Sequence, residues 1–330
     1  MKVIGIDVSK PHLDVVLLDE KGKAIQEERI PNTAAGLRKH LRTVALRGTQ
    51  KQDLLVCLEP TGHYSSVAIM TLLKMKVPVW LAHPTDIQRS LGMTRGKDDK
   101  VDARRIAQYA YRFQDKARLL DESYLGFAEI KELLSTRDAL VRDRAEQRAR
   151  KSDNLLYMGK TAKACVTKCI DRIARALERS IKEVEQQIEA MIKADTQVVA
   201  KRELVMSVTG VGPVFANEFI VATRGFTRFD TPRQFECYVG VAPFEYSSGI
   251  SITGRRRVSH RANKRLKQLL HLAAMSAIRV KGDLQDYYKR KIAQGKKPMS
   301  VLNAVRAKII HHIWAVLASG QPYKPHLHMS

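Results

Sequence analysis

Cysteine is scarce. Cys57, Cys165, Cys169 and Cys237 are all that 330 residues contain. None forms a CxxC pair or a Cys/His cluster at zinc spacing, which excludes a zinc module and a disulfide framework and leaves ordinary thiols in a reducing compartment. Long apolar stretches are also missing. No apolar run reaches 18 residues, and MKVIGIDVSK reads as a strand rather than a signal peptide. The expectation is a soluble, cytoplasmic protein with no membrane partner. Acidic residues are few, 34 Asp and Glu against 58 Lys and Arg, a net charge of +24. A globular chain this basic has a polyanionic partner. Nucleic acid comes before an anionic membrane, because no lipidation motif is present and the basic residues spread over several segments. No glycine-rich phosphate loop follows a strand, since Gly210 and Gly212 lie between helical segments. That speaks against an actin-like ATPase or sugar kinase, although such proteins also open on a strand like IGIDVS.

What is present divides into three stretches. Apolar residues make up 44 % of the chain, enough for sizeable cores. Residues 1–118 read as α/β. Three short strands at 3–9, 13–22 and 23–32 have hairpin-scale connections, then a helix follows at 34–46. DLLVCLE (53–59) is a nearly continuous apolar strand, as expected when both faces are covered. A helix from about residue 60, a strand at 77–83 and a helix from about Lys100 complete a mixed sheet of the ribonuclease H type.

Residues 119–200 nearly lack glycine, and Ile170, Ile173, Leu177, Ile181, Val184, Ile188 and Met191 recur with a mean spacing of 3.5, a coiled-coil period. With a charged helix over about 127–157, this predicts a helical arm, as an antiparallel hairpin or a dimer contact. Residues 201–330 are mainly helical. Thr209-Gly210-Val211-Gly212-Pro213 between two helices is a helix–hairpin–helix pattern, whose glycines let backbone N–H groups approach a phosphate. Residues 241–262 read as a loop. Arg255, Arg256, Arg257, Arg261, Lys264, Arg265 and Lys267 then crowd into thirteen positions, either a solvated face or a grip on phosphates.

In so basic a chain the carboxylates stand out as a set. Asp7 interrupts an apolar strand, where a charge is costly unless it is paired or metal-bound. Glu59 ends the next apolar strand, just before Pro-Thr-Gly. Asp99 and Asp102 are i, i+3 on a helix and share a face, while Asp98 is better placed as a cap, although the two adjacent aspartates could exchange roles. In a ribonuclease H-type sheet these four would converge, and four such charges call for a cation. Oxygen ligands of this kind favour Mg²⁺ or Mn²⁺.

GIDVSK around Asp7, LEPTGHY around Glu59, GKDDKVDARRIA, the Thr-Gly-Val-Gly-Pro turn, Arg233-Gln-Phe with VGVAPFEYSSG, and KRLKQLLHLAA together resemble the DEDD transposases of bacterial insertion sequences. That family includes the Piv-type DNA invertases and the bridge-RNA-guided recombinases, and the resemblance runs over nearly the whole chain. It implies a RuvC-like nuclease domain, a coiled-coil arm and a C-terminal transposase domain, in a bacterial protein that joins the nucleoid when active. It implies that Asp7, Glu59, Asp99 and Asp102 bind Mg²⁺. It also implies a serine nucleophile just before a glycine, which falls on Ser248, with Ser247 as its neighbour. It further implies donor and target double-stranded DNA, a noncoding guide RNA, and dimers that pair into a tetrameric synapse. One departure is that Ser259-His260-Arg261-Ala262-Asn263 stands where many relatives read Ser-Lys-x-Gly-Asn, with Arg261 in place of the lysine's charge. The alternative for the acidic set is a RuvC-like endonuclease or junction resolvase with water as nucleophile. A third reading is a non-catalytic nucleic-acid-binding protein with structural acids.

Overall fold

VIGI, VVLL and LLVCL are apolar without alternation because each lies inside a sheet covered on both faces. In the computed structural model they belong to β1 (Lys2–Val8), β2 (His12–Leu18) and β4 (Leu54–Leu58), with β3 (Ala24–Pro31) and β5 (Val79–Leu81) at the edges. The described residues are 1–46, 48, 50–90, 99–121, 123–153, 157–248, 252–258 and 262–325. They divide into two units, Met1–Leu125 and Gly126–Ser330.

The sheet of the first unit has the order β3-β2-β1-β4-β5. β1, β2 and β3 form an antiparallel meander, whereas β1–β4 and β4–β5 are parallel. The mixed sheet, and β1 beside β4, are as the sequence predicts. The polar edge strand β3 is reached through a turn in which Asp19 Oδ1 accepts from the backbone N–H groups of Lys21 and Lys23.

Helix α1 (Ala34–Leu46) follows the meander, and α2 (Ser66–Lys74) follows a short 3₁₀ turn after β4. They cover one face, where Leu37, Leu41, Ile69 and Leu72 pack on Ile4, Ile6, Leu13, Val15, Val56 and Leu58. After α3 (Pro84–Ser90), helix α4 (Asp99–Arg112) covers the other face, setting Ala103, Ile106, Ala107 and Ala110 on Val3, Val16, Leu55 and Cys57. Small residues meet here for a reason. A Cβ added to Gly5 would lie 2.3 Å from Ala107 N and 2.5 Å from Ala103 O. The backbone of α4 rests on β1, and nothing larger than glycine fits between them.

The second unit takes in most of α5 (Ser123–Asp153), then α6 (Lys160–Lys193). The pairs Arg137–Glu185, Arg144–Glu178 and Lys151–Asp171 show that the two helices run antiparallel. Of the seven apolar positions at coiled-coil spacing, Ile170, Ile181 and Ile188 are buried while Ile173 stays exposed. Next come α7 (Thr196–Ser207), capped by Asp195, and α8 (Pro213–Thr223), with proline in its first turn. They are followed by α9 (Pro232–Val239), capped by Thr231, and α10 (Lys264–Ala277), capped by Asn263.

The last helices are α11 (Asp283–Ala293) and α12 (Pro298–Ser319). By length and composition α12 could cross a membrane. Its Val305, Ile309, Ile310 and Ile313 belong to the core of this unit, beside Phe219, Phe235 and Leu270.

One expectation is corrected. Residues 241–262, read as a loop, contain a β-hairpin of β6 (Pro243–Ser248) and β7 (Ile252–Val258), paired from Pro243↔Val258 to Ser248↔Ile252. Serines and arginines mask its strand pattern, while the β-branched Ile252 and Thr253 and the aromatic Phe244 and Tyr246 favour it.

Candidate active site

The ladder between β1 and β4 ends at Ile6↔Leu58. One step further, the same register sets Asp7 beside Glu59. Parity decides the face. Val3, Leu55 and Cys57 all pack toward α4, so Asp7 and Glu59 fall on that side too. Asp102 lies in the first turn of α4 and precedes Ala103, whose carbonyl oxygen lies against Gly5.

The electrostatics agree with this placement. Burial raises the pKa of the Glu59 carboxyl, and the negative charges of Asp7 and Asp102 raise it further. Three of the four expected carboxylates therefore share one field. Asp102 Oδ1 also accepts from Arg105 Nη1 at 2.9 Å. Asp99 opens α4, and its side chain lies outside the described part, as does the whole of Asp98.

Asp14 is the contrasting acid. It stands opposite Asp7 across β1 and β2, is buried, and is held by the Arg29 guanidinium through two bonds of 2.9 and 3.0 Å. Sequence reading passed over it, although an acid inside LDVVLL carries the same signal as Asp7.

Among the described residues no group of three or more His, Cys, Asp and Glu side chains has the arrangement of a metal site. The chemistry of the donor set still fits a divalent cation. All are carboxylate oxygens, and the repulsion felt at Glu59 is what a cation would relieve.

In the helical unit, Ser247 pairs with Thr253 and Ser248 with Ile252 in the hairpin register. The base of the hairpin is anchored. Arg233 Nη2 donates to Pro243 O at 3.2 Å, and Asn303 Nδ2 donates to Val241 O at 2.9 Å. Arg233 also donates to the buried Glu236 carboxylate, which accepts from His311 as well. The Arg/Glu pair at i, i+3 in α9 was the available sequence signal for this anchor.

The basic residues have separate placements. Arg255, Arg256 and Arg257 lie in β7, Lys264 is exposed at the start of α10, and Arg261 falls outside the described residues. Arg265 pairs with Asp138 and Glu218 inside the unit. Burial raises the Glu218 pKa, Asp138 adds to the rise, and Arg265 opposes it. Between α7 and α8, Thr209 is half-buried. Gly210 has φ +88°, and a Cβ there would lie 2.3 Å from Ala273 O, so the turn rests on α10. A Cβ at Gly212 would meet nothing within 4 Å.

Comparison with known proteins then decides the family. Residues 4–157 match a transposase model of the DEDD IS110 type, and residues 202–289 match the transposase IS116/IS110/IS902 family. The chain belongs to the IS110 transposase family. A pilin gene-inverting protein of Moraxella bovis is 22 % identical over 329 residues, covering 98 % of each chain. The transposase for insertion sequence element IS1111A of Coxiella burnetii is 23 % identical over 354 residues, covering 98 % of this chain and 92 % of that one. Among solved structures, a chain of "T. thermophilus RuvC in complex with Holliday junction substrate" matches at 16 % identity over 36 % of this chain and 99 % of that one. Its TM-score is 0.28.

Proposed function

We propose that this IS110-family transposase cuts and rejoins DNA through a RuvC-like acidic centre and a serine nucleophile, moving an insertion element between donor and target duplexes. The observation that carries the reading is the shared field of Asp7, Glu59 and Asp102 where two parallel strands end beneath α4. Asp7, Glu59 and Asp102, with Asp99 from the start of the same helix, are the residues that would hold Mg²⁺ or Mn²⁺. Such an ion supplies Lewis-acid stabilisation of charge on a phosphodiester and on a departing oxygen.

The rest is the chain's own chemistry. Ser248 Oγ attacks a DNA phosphorus. A P–Oγ bond forms, one P–O ester bond of the strand breaks, the serine proton leaves, and a proton reaches the departing oxygen. The ester energy stays in the protein–DNA link, so a strand can be rejoined by the reverse attack without ATP. Ser248, next to Gly249, is preferred over Ser247 on the family resemblance. The same resemblance supports a noncoding guide RNA, and dimers that pair into a tetrameric synapse. The net charge of +24 suits a complex that holds both nucleic acids.

The test is a denaturing gel for covalent protein–DNA adducts. The protein is produced with the DNA that flanks its gene, so that an RNA encoded there is present, and incubated with labelled element ends in Mg²⁺ or EDTA. An Mg²⁺-dependent adduct that is lost in Ser248→Ala and kept in Ser247→Ala is the expected result. Cleaved DNA without an adduct in any form refutes the serine step and favours water as nucleophile. Asp7→Ala is expected to abolish the adduct while DNA binding persists. Persistence of the adduct would make the acids structural.

A further inference from the structure

Arg306 is an unusual residue for its position. It sits on α12 among Val301, Leu302, Val305 and Ile309, with only 7 % of its surface exposed. An isolated guanidinium there costs several kcal/mol unless something pairs with it. Its bonds within the protein are few and neutral. Nη1 donates to Asn303 Oδ1 at 3.3 Å, Nη2 lies 2.6 Å from His271 Nδ1, and Nε is buried with no hydrogen-bond partner.

The neighbours add to the problem. His271 and Lys267 stand one helical turn apart on α10, on one face. Each is held below its ordinary pKa, first by burial and then by the positive charge of Arg306. Because a guanidinium has no lone pair to offer, His271 Nδ1 must be the acceptor. That leaves Nε2 to carry the ring proton. Three donors therefore converge. Among the described residues none of the three has a carboxylate partner, in contrast to Arg265, two residues before Lys267, which has two.

A lysine and a histidine set beside a buried, under-bonded arginine that opposes their protonation are arranged for an anion. Its place in the unit names the kind. Asn303, which accepts from Arg306, donates through its other side-chain atom to Val241 O, two residues before the hairpin that carries Ser247 and Ser248.

We propose that Lys267, His271 and Arg306 form a phosphate-binding site of the helical unit, which takes one phosphodiester group of the DNA strand at the base of the serine hairpin. This rests on the DNA-processing reading above and adds the residues that grip the strand.

Two measurements on the full chain test it. In the first, inorganic phosphate is titrated while the histidine rings are followed by NMR, with the His271 signal identified by its loss in His271→Asn. Phosphate is expected to raise the pH at which His271 titrates, because a bound anion favours imidazolium. Lys267→Gln is expected to remove that response. In the second, DNA affinity is measured against salt. Lys267→Gln is expected to weaken binding roughly tenfold and to lower the slope of log affinity against log salt by about one.

Arg306→Met separates binding from packing. It is expected to match or exceed the wild type in thermal stability and to bind DNA more weakly. A less stable Arg306→Met with unchanged DNA binding would make the arginine structural and overturn the proposal. A His271 response with no change in salt slope would overturn DNA as the occupant and leave a site for free anions. No His271 response and no slope change would overturn the site outright. If the wild type fails to bind DNA at all, the functional reading fails, and the phosphate titration still reports whether the anion site exists.

Discussion

Replacing Gly5 by alanine tests the link between the fold and the acidic centre. The new Cβ would stand 2.3 Å from Ala107 N and 2.5 Å from Ala103 O, where ordinary contact begins at 3.4 Å. Both obstacles are backbone atoms, so no side chain can turn away, and α4 must retreat from β1 by about 1 Å. Overpacking of this kind costs about 1–3 kcal/mol. The loss of glycine's chain entropy returns only about 0.5–1 kcal/mol. The expected net effect is a loss of about 1 kcal/mol in the first unit. Asp102 moves with the helix, and a misplacement of about 1 Å lowers a catalytic rate about 100-fold.

Stability can be read from the buried Trp80 in a Trp314→Phe background, since these are the two tryptophans. Activity is read as strand cleavage at a temperature where the variant is folded. Adding Ala103→Gly or Ala107→Gly is not expected to rescue either property, because the clash is with N and O rather than with a methyl group. Gly126→Ala, exposed and free of neighbours within 4 Å, is the opposite control. As a helical site it is expected to stabilise by about 0.5–1 kcal/mol. Unchanged stability in Gly5→Ala would refute the close seating of α4 on β1. Lost stability with full activity, measured on folded protein, would refute the placement of Asp102 by that seating.

Three further outcomes follow from the same geometry. Glu59 has a folded pKa above its ordinary value, so its contribution to stability is present at low pH and lost as pH rises through the folded pKa. In EDTA, Glu59→Gln is therefore expected to melt higher than wild type at pH 7 and to lose that advantage below about pH 4, and in Mg²⁺ its cleavage is expected to be abolished at every pH. Arg265→Ala is expected to destabilise the helical unit by about 1–3 kcal/mol, because the half-buried Glu218 loses its ion pair and Asp138 keeps only Arg137. Its salt slope for DNA binding should match the wild type, and a slope reduced by about one would make Arg265 a phosphate contact instead. Burial pushes the Cys57 thiol up to about 12. A thiol reagent at pH 8 is expected to modify the exposed Cys165 and Cys169 in the native protein and Cys57 only on unfolding, as peptide mapping would show.

The first unit was legible because its physics is local. Continuous apolar strands mark central positions, and a carboxylate at the end of such a strand is conspicuous. Asp7 and Glu59 stood out for that reason, and strand periodicity then places them on one face. The hairpin of residues 243–258 was not legible. Its strands carry serine, arginine and glycine, and they pair through register rather than through an apolar alternation that a single chain displays. Asp14 was missed for a related reason. Its meaning depends on Arg29, fifteen residues away on the neighbouring strand, which neutralises it.

The basic run at 255–267 shows where charge counting stops. Arg265 and Lys267 are two residues apart, and a sequence reading gives them the same role. On a helix, positions two apart point about 200° apart, so they meet different neighbours. Arg265 finds Asp138, 127 residues earlier in the chain, and is neutralised within the unit. Lys267 instead feels the positive charge of the buried Arg306, and among the described residues it has no carboxylate partner. The net charge predicts that an anion binds but not which lysine or arginine binds it. That depends on which basic residues the fold has already paired, and among the described residues Lys267 and Arg306 are the ones to mutate first.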